Sequence, residues 1–251
     1  MVDNIYIKRL GIVDSTNRYA RDESPALWCE AGVCDIIAIT ADCQTAGRGQ
    51  RGNIWQSQAE SNLILTLLVR PGHSLKVTEQ FRLSQAVAIS LHVAMKAYGI
   101  ATKLKWPNDI YVGNKKLAGI LIELDYSGIF IEQAIIGIGL NINQTQFPVM
   151  ERTPVSMKML SNKDFDRENV LCNVLKNFEE YYTRLINGEY EAIANEYDNL
   201  LLGYGQEHQF IDAYGTFTAV IKGIEPCGML ILTSNDGTIR KYAFKEIKMV
   251  I

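Results

Sequence analysis

KWPNDIYVGNKKLAGILIE, residues 105–123, is the stretch from which the fold can be read. Leu104–Trp106 and Ile110–Val112 are short β-prone runs. Gly113-Asn114 is a two-residue turn signal, and Lys115–Glu123 is the returning strand, so the segment predicts a hairpin. Pro107 forces Trp106 into an extended conformation ahead of it. Outward toward the C-terminus, Ile129–Leu140 is almost continuously apolar, the pattern of a central strand buried on both faces. Outward toward the N-terminus, Val77, Phe81, Ala88, Leu91, Met95 and Tyr98 recur at helical spacing over about six turns, and Gly99 closes the run. That helix is expected to lie against the sheet. Asn62–Val69 reads as a buried strand ended by Pro71-Gly72, and Ile36–Thr40 as a short β-rich run. Asp14-Ser15-Thr16-Asn17 is a helix N-cap before an amphipathic run. Residues 163–200 are helical in pattern. After Gly205, short β runs alternate with turn signals at 213–215, 226–228 and 235–237, which predicts a small antiparallel barrel of about 45 residues.

The chain has 251 residues, 47% hydrophobic and 21% charged, an ordinary globular balance that excludes a disordered chain. The 25 Lys and Arg against 28 Asp and Glu give a net charge of -3, which argues against a general nucleic-acid binder. Nine acids and four bases fall in 163–200, so that segment carries -5 and the remainder +2. The acids there read as solvated helix faces. No apolar run is long enough for a membrane span, and MVDNIYIKRLG has no signal-peptide pattern. The five cysteines (29, 34, 43, 172, 227) form no CxxC pair and are odd in number. They read as reduced cytosolic thiols, mostly small core residues. The three histidines are far apart, so no structural zinc site is expected.

Three segments could carry chemistry. QTAGRGQRGNIW, 44–55, has glycines at 47, 49 and 52, Arg48 and Arg51, and no acid. Its backbone N–H groups and guanidinium forks suit a carboxylate or phosphate; the other reading is a flexible surface loop. It matches neither the Walker loop nor a GxGxxG leading into a helix. In 105–119, Asn108 and Asp109 pair an amide with a carboxylate, able to take Mg²⁺ or a ribose hydroxyl, with Lys115 and Lys116 across the hairpin; the alternative is a polar hairpin with a surface salt bridge. IGIGLNIN, 136–143, ends an apolar strand in alternating glycines and then Asn141, where ligands bind in α/β sheets; an ordinary turn at the strand end is the other reading.

Taken together and in this order, DSTN at 14–17, the 44–55 loop, 105–123 and 136–143 resemble the catalytic core of biotin–protein ligases, also called biotin–[acetyl-CoA-carboxylase] ligases. The order and number of these motifs make the resemblance specific. It implies an α/β (α+β) fold: a mixed-sheet catalytic domain over 1–204 and an SH3-like β-barrel over 205–251. It implies that biotin and ATP form biotinyl-5′-AMP with release of pyrophosphate, and that a lysine of a biotin carboxyl carrier protein then accepts biotin. On this sequence it assigns Ser15, Thr16, Asn17 and Gln44 to biotin. Gly47 and Arg48 would fold over biotin, with Arg48 near the carboxylate and phosphate. Lys116 would bridge carboxylate and α-phosphate as the main catalytic residue, with Gly119 giving close backbone approach. Trp55 would stack on adenine. Arg51, Asn108, Asp109 and Asn141 would hold ATP, with Asp109 the candidate Mg²⁺ ligand.

Gln50 and Asn53 stand where the family often has arginine, which implies a weaker electrostatic grip on the adenylate. The first motif begins at Asp14, and the thirteen residues before it are too few for a three-helix DNA-binding domain. A ligase without operator binding is therefore expected. The resemblance also raises a cytoplasmic homodimer formed through the face carrying the glycine-rich loop. A lipoate or octanoate ligase or transferase, and a non-catalytic biotin-binding protein, are the alternatives.

Overall fold

The computed structural model describes residues 4–149 and 152–250, with Arg51 described by its backbone alone. The larger sheet has seven strands. β1 (Ile5–Val13), β2 (Ile36–Gln44), β3 (Leu63–Val69), β4 (Lys103–Lys105), β5 (Asp109–Val112), β6 (Lys115–Ser127) and β7 (Phe130–Leu140) are ordered β1-β2-β3-β7-β6-β5-β4. Only the β1–β2 pair is parallel, so the sheet is mixed as expected. The hairpin at Gly113-Asn114 and the central apolar strand are where the sequence places them. β1 carries no clear sequence signal: Lys8, Arg9 and Gly11 interrupt its apolar alternation, and it is an edge strand with one side unpaired.

Both faces of the sheet are buried, and the period of two divides the side chains between them. From β2, Ile36 and Ala38 join the main core, while Ile37 and Ile39 join a smaller cluster with Leu68 and Ile135. The smaller cluster is covered by α1 (Thr16–Asp22) and α2 (Ser24–Ala31), through Ala20, Leu27 and Ala31. The main core is covered by α3 (Phe81–Lys96), α5 (Arg167–Ile186) and α6 (Tyr190–Leu200), with the short α4 (Met157–Ser161) between β7 and α5.

The helix expected from Val77 begins instead at Phe81. Val77–Glu79 is a separate 3₁₀ turn. Val77 N donates to Ile129 O at 3.0 Å and Phe81 N to Pro226 O at 3.0 Å. Tertiary partners thus take backbone donors that would otherwise be left over at a helix start.

The C-terminal strands β8 (Glu207–Asp212), β9 (Gly215–Ile224), β10 (Leu230–Ser234), β11 (Ile239–Tyr242) and β12 (Lys248–Met249) form one antiparallel sheet, ordered β11-β10-β9-β8-β12. The expected barrel does not close: no ladder joins β11 to β12 among the described residues, and β12 is two residues long. The main core runs on into this sheet through Phe210, Ala219, Ile221, Leu230 and Leu232. Trp106 Nε1 donates to Gly228 O at 3.1 Å, fastening the sheet to the turn before β5.

The cysteines are not core residues. Cys29, Cys172 and Cys227 are exposed, and Cys34 and Cys43 are half-buried. The three exposed ones lie on outward helix faces and in a turn, where a thiol contributes little packing, while Cys43 is on β2 and Cys34 packs against the smaller cluster.

Candidate functional site

Register builds the floor of the site. Asp109 lies opposite Gly119, Gly119 opposite Gly139, and Gly139 opposite Ile64, one row across β5, β6, β7 and β3. In the next row Leu121, Gly137, Thr66 and Ile39 stand side by side. Directly opposed residues share a face, so the glycines leave a slot in the face that α1 covers only in part. The chain itself enters that slot. A Cβ on Gly139 would come 2.2 Å from Trp55 Cε2, and a Cβ on Gly137 would come 2.5 Å from Asn17 Oδ1.

One end of the slot is a polar network. Gln44 Oε1 accepts from Thr16 N at 2.7 Å and from Thr16 Oγ1 at 3.0 Å. Thr66 Oγ1 lies 2.8 Å from Thr16 Oγ1 and 2.7 Å from Asn17 Oδ1. Asn17 Nδ2 donates to Glu123 Oε2 at 2.9 Å. Glu123 Oε1 is 3.3 Å from Arg48 and 3.8 Å from Arg21. Ser15 is buried at the α1 N-cap, although its hydroxyl makes no capping bond. Burial of a satisfied network of this kind fixes the rotamers of the groups that line the slot.

The glycine-rich loop roofs the cleft. Trp55 N donates to Gly47 O at 3.0 Å and Gly49 N to Asn53 O at 2.7 Å, pinching the loop into a small hairpin. A Cβ on Gly47 would meet Trp55 O at 2.3 Å, so this position admits only glycine. Gln50 sits in a 3₁₀ turn, and its Oε1 is buried without a hydrogen-bond partner among the described residues.

The other end of the slot is ionic. Asp109, with 2% of its side chain exposed, holds Lys116 Nζ 2.7 Å from Oδ1, a charge contact off the hydrogen-bonding direction. Its Oδ2 accepts from Arg152 Nη1. Lys116 Nζ also stands 5.5 Å from the Trp55 ring centroid. The backbone of Lys116 is clamped by Thr153 O and Val155 N, each at 2.9 Å. Behind it, burial pushes the Lys105 ammonium down to about 8, and the charges of Arg152, Lys116 and Lys248 push the same way against Asp109.

Ser15, Thr16, Asn17, Gln44, Arg48, Trp55, Asn108, Asp109, Lys116 and Gly119 therefore line one cleft. Gly47 stands one step back and shapes the loop. Asn141 lies behind the floor, where Nδ2 donates to Val155 O at 3.1 Å. Asn108 Nδ2 donates to Ile120 O at 2.6 Å, clipping the turn onto β6. The side chain of Arg51 lies outside the described residues. The carboxylate of Asp109, the expected Mg²⁺ ligand, is held here by two cations, and no group of three His, Cys, Asp or Glu that could hold a metal by itself occurs among the described residues. The chain also places Thr66, Glu123 and Arg152 at the site, which the motifs do not single out. Thr66 had a signal: it is the lone polar residue in an otherwise apolar strand.

A sequence model of the Biotin/lipoate A/B protein ligase family matches residues 12–141. The chain is 34% identical over 208 residues to the bifunctional ligase/repressor BirA of Bacillus subtilis, covering 82% of this chain and 64% of that protein, so it spans less than two-thirds of that relative. It is 31% identical over 237 residues to the biotin–[acetyl-CoA-carboxylase] ligase of Paracoccus denitrificans, covering 91% and 94%. The solved structure of biotin protein ligase from Aquifex aeolicus in complex with biotin and ATP superposes with a TM-score of 0.79 at 27% identity, over 98% of both chains. No helix among the described residues is long and apolar enough to cross a membrane.

Proposed function

The chain belongs to the biotin/lipoate A/B protein ligase family, and on that premise we propose that it is a biotin–protein ligase. It joins biotin to ATP as biotinyl-5′-AMP, releases pyrophosphate, and passes biotin to a lysine of a biotin carboxyl carrier protein. The observation that carries this reading is the placement of Lys116. Its ammonium hangs over the Gly119–Gly139 slot, with the Thr16–Gln44–Asn17 network on one side and the Asp109–Arg152 cluster on the other.

The division of labour follows from the geometry. A ureido ring needs every donor and acceptor met when buried, and the hydroxyl and amide groups of the network supply both kinds. A carboxylate and a triphosphate repel each other as they meet. Lys116, held ready by Asp109, turns from that carboxylate to the reacting oxygens as charge builds there. Arg48, resting 3.3 Å from Glu123 at the network end, turns toward the carboxylate as the loop closes over biotin. The adenylate's carbonyl is then attacked by the neutral carrier amine, the C–O bond to phosphate breaks, and AMP leaves with its electron pair. Asp109 is the resting partner of the cations, and once they turn to the phosphates its carboxylate would be the group to hold Mg²⁺, which would offset phosphate charge. The division into 1–204 and 205–251, a homodimer through the loop-bearing face and a cytoplasmic setting accompany this proposal.

The test is to incubate the chain with ATP, labelled biotin and an apo carrier domain. Label on the carrier lysine, dependent on ATP, is the expected result. Biotin binding without transfer, or transfer of lipoate in its place, overturns the proposal.

A further inference from the structure

A second groove runs from the cleft under the C-terminal sheet, and Asn53, Arg152 and Phe244 line both. Lys105, Lys245 and Lys248 line the second groove. At the junction Lys116 and Arg152 both contact the Asp109 carboxylate, and the charges of both act on the buried Lys105 ammonium beside them. Three cations, Lys105, Lys116 and Arg152, thus gather around the one buried carboxylate of Asp109 where the cleft opens into the groove. The position is set by the backbone. Lys116 N donates to Thr153 O, next to Arg152, so the loop between β7 and α4 is laced to the strand that carries Lys116.

We propose that Arg152, with Lys105 beside it, is the seat of the β- and γ-phosphates of the nucleotide, a role no sequence motif assigns to it. This rests on the ligase reading above. Biotin's carboxylate oxygen forms the new bond to the α-phosphorus. The bond from that phosphorus to the bridging oxygen breaks, and the electron pair leaves with pyrophosphate. Negative charge therefore grows on the β- and γ-phosphates in the same step. A planar guanidinium offers two parallel donors to vicinal phosphate oxygens. Arg152 donates to Asp109 Oδ2, while Lys116 contacts Oδ1. One carboxylate thus parks the cation for the α-phosphate and the cation for the outer phosphates. Arg152 enters from a different element than the glycine-rich loop, and it supplies charge that Gln50 and Asn53 do not.

The test compares ATP with AMP, which lacks the outer phosphates, by calorimetric titration of the full chain. In Arg152→Ala, ATP affinity falls about tenfold or more while AMP affinity changes less than about twofold, as loss of a charge-assisted contact to the outer phosphates requires. Arg152→Lys, which keeps the charge and is the variant used if the alanine form does not fold, loses less ATP affinity than alanine and again spares AMP. Unchanged ATP affinity overturns the proposal. An equal fall for ATP and AMP also overturns it, because Arg152 would then act only by holding Asp109. Failure of the wild-type chain to bind ATP at all overturns the ligase reading, and that outcome is distinguishable because it needs no variant.

Discussion

Lys116 and Glu123 sit at opposite ends of one slot, and each is defined by the charge it faces. Lys116→Ala removes a cation whose partner charge appears mainly in the transition state. Adenylate formation, followed by pyrophosphate release, is expected to fall about 10²–10³-fold, with a much smaller change in biotin affinity. Pyrophosphate release near the wild-type rate would mean that Lys116 does not carry the step. Glu123 touches the reaction only through others: it holds the Asn17 amide at 2.9 Å and the Arg48 guanidinium at 3.3 Å. Glu123→Gln leaves an acceptor for Asn17 but discharges the latch on Arg48. Biotin affinity should weaken about five- to tenfold, or about 1 kcal/mol, measured by titration. Unchanged affinity would reduce Glu123 to a surface-type ion pair.

At the scale of elements, the glycine-rich loop and the two glycine-bearing strands fit each other through Trp55. Its indole rests on Gly139 and Gly119, the place the motif resemblance gives to close approach of biotin. The indole must therefore shift when biotin enters. Biotin is expected to change the tryptophan emission of the wild-type chain, and Trp55→Phe should lose that change although Trp28 and Trp106 remain. An identical response in both would place Trp55 outside the transition. The loop also carries Gln50 where relatives often have arginine. Gln50→Arg is expected to slow release of biotinyl-AMP several-fold, since a charged donor on a phosphate is stronger than a neutral one. Equal off-rates would show that the grip lies elsewhere. The loop was legible as an anion holder because glycines, arginines and missing acids are local properties. Its docking onto β6 and β7 was not, because it depends on register between strands far along the chain from the loop.

At the scale of the whole molecule, the C-terminal sheet meets α6 at a buried carboxyl. Asp198 on that helix lies against β9, where a Cβ on Gly223 would come 3.3 Å from its Oδ2. Its Oδ1 is buried without a hydrogen-bond partner among the described residues. Burial pushes its carboxyl up to about 6. A folded-state value above the unfolded one, about 3.9, means the stabilisation is complete below that value and is lost as pH rises through about 6. Asp198→Asn should therefore melt higher than wild type at pH 7–8, by on the order of 1 kcal/mol after discounting for its partial exposure, with the gain shrinking toward pH 5. A melting difference that does not vary with pH would remove Asp198 from the account. The seven-stranded sheet is held by apolar burial on both faces. Leu68→Ala in β3, fully buried against α1 and α2, should cost about 2–5 kcal/mol in a denaturant titration.

The sequence by itself determined the strand–turn–strand at 105–123, the central strand ending in Gly137 and Gly139, the helical run before Gly99, and the composition of the loop over the site. Each is a matter of period, turn chemistry or local residue type, which neighbours in the chain decide. Tertiary structure decided what long-range pairing decides. It made β1 a strand by giving it β2 as a parallel neighbour, and it started α3 at Phe81 by taking backbone donors ahead of it. It left the C-terminal sheet open and set Cys29, Cys172 and Cys227 outward. It also turned Asp109 from a free carboxylate into the shared partner of Lys116 and Arg152, because strand register and the loop before α4 bring three distant charges to one buried point. A motif names residue types, and only the packed chain settles which charges those residues must face.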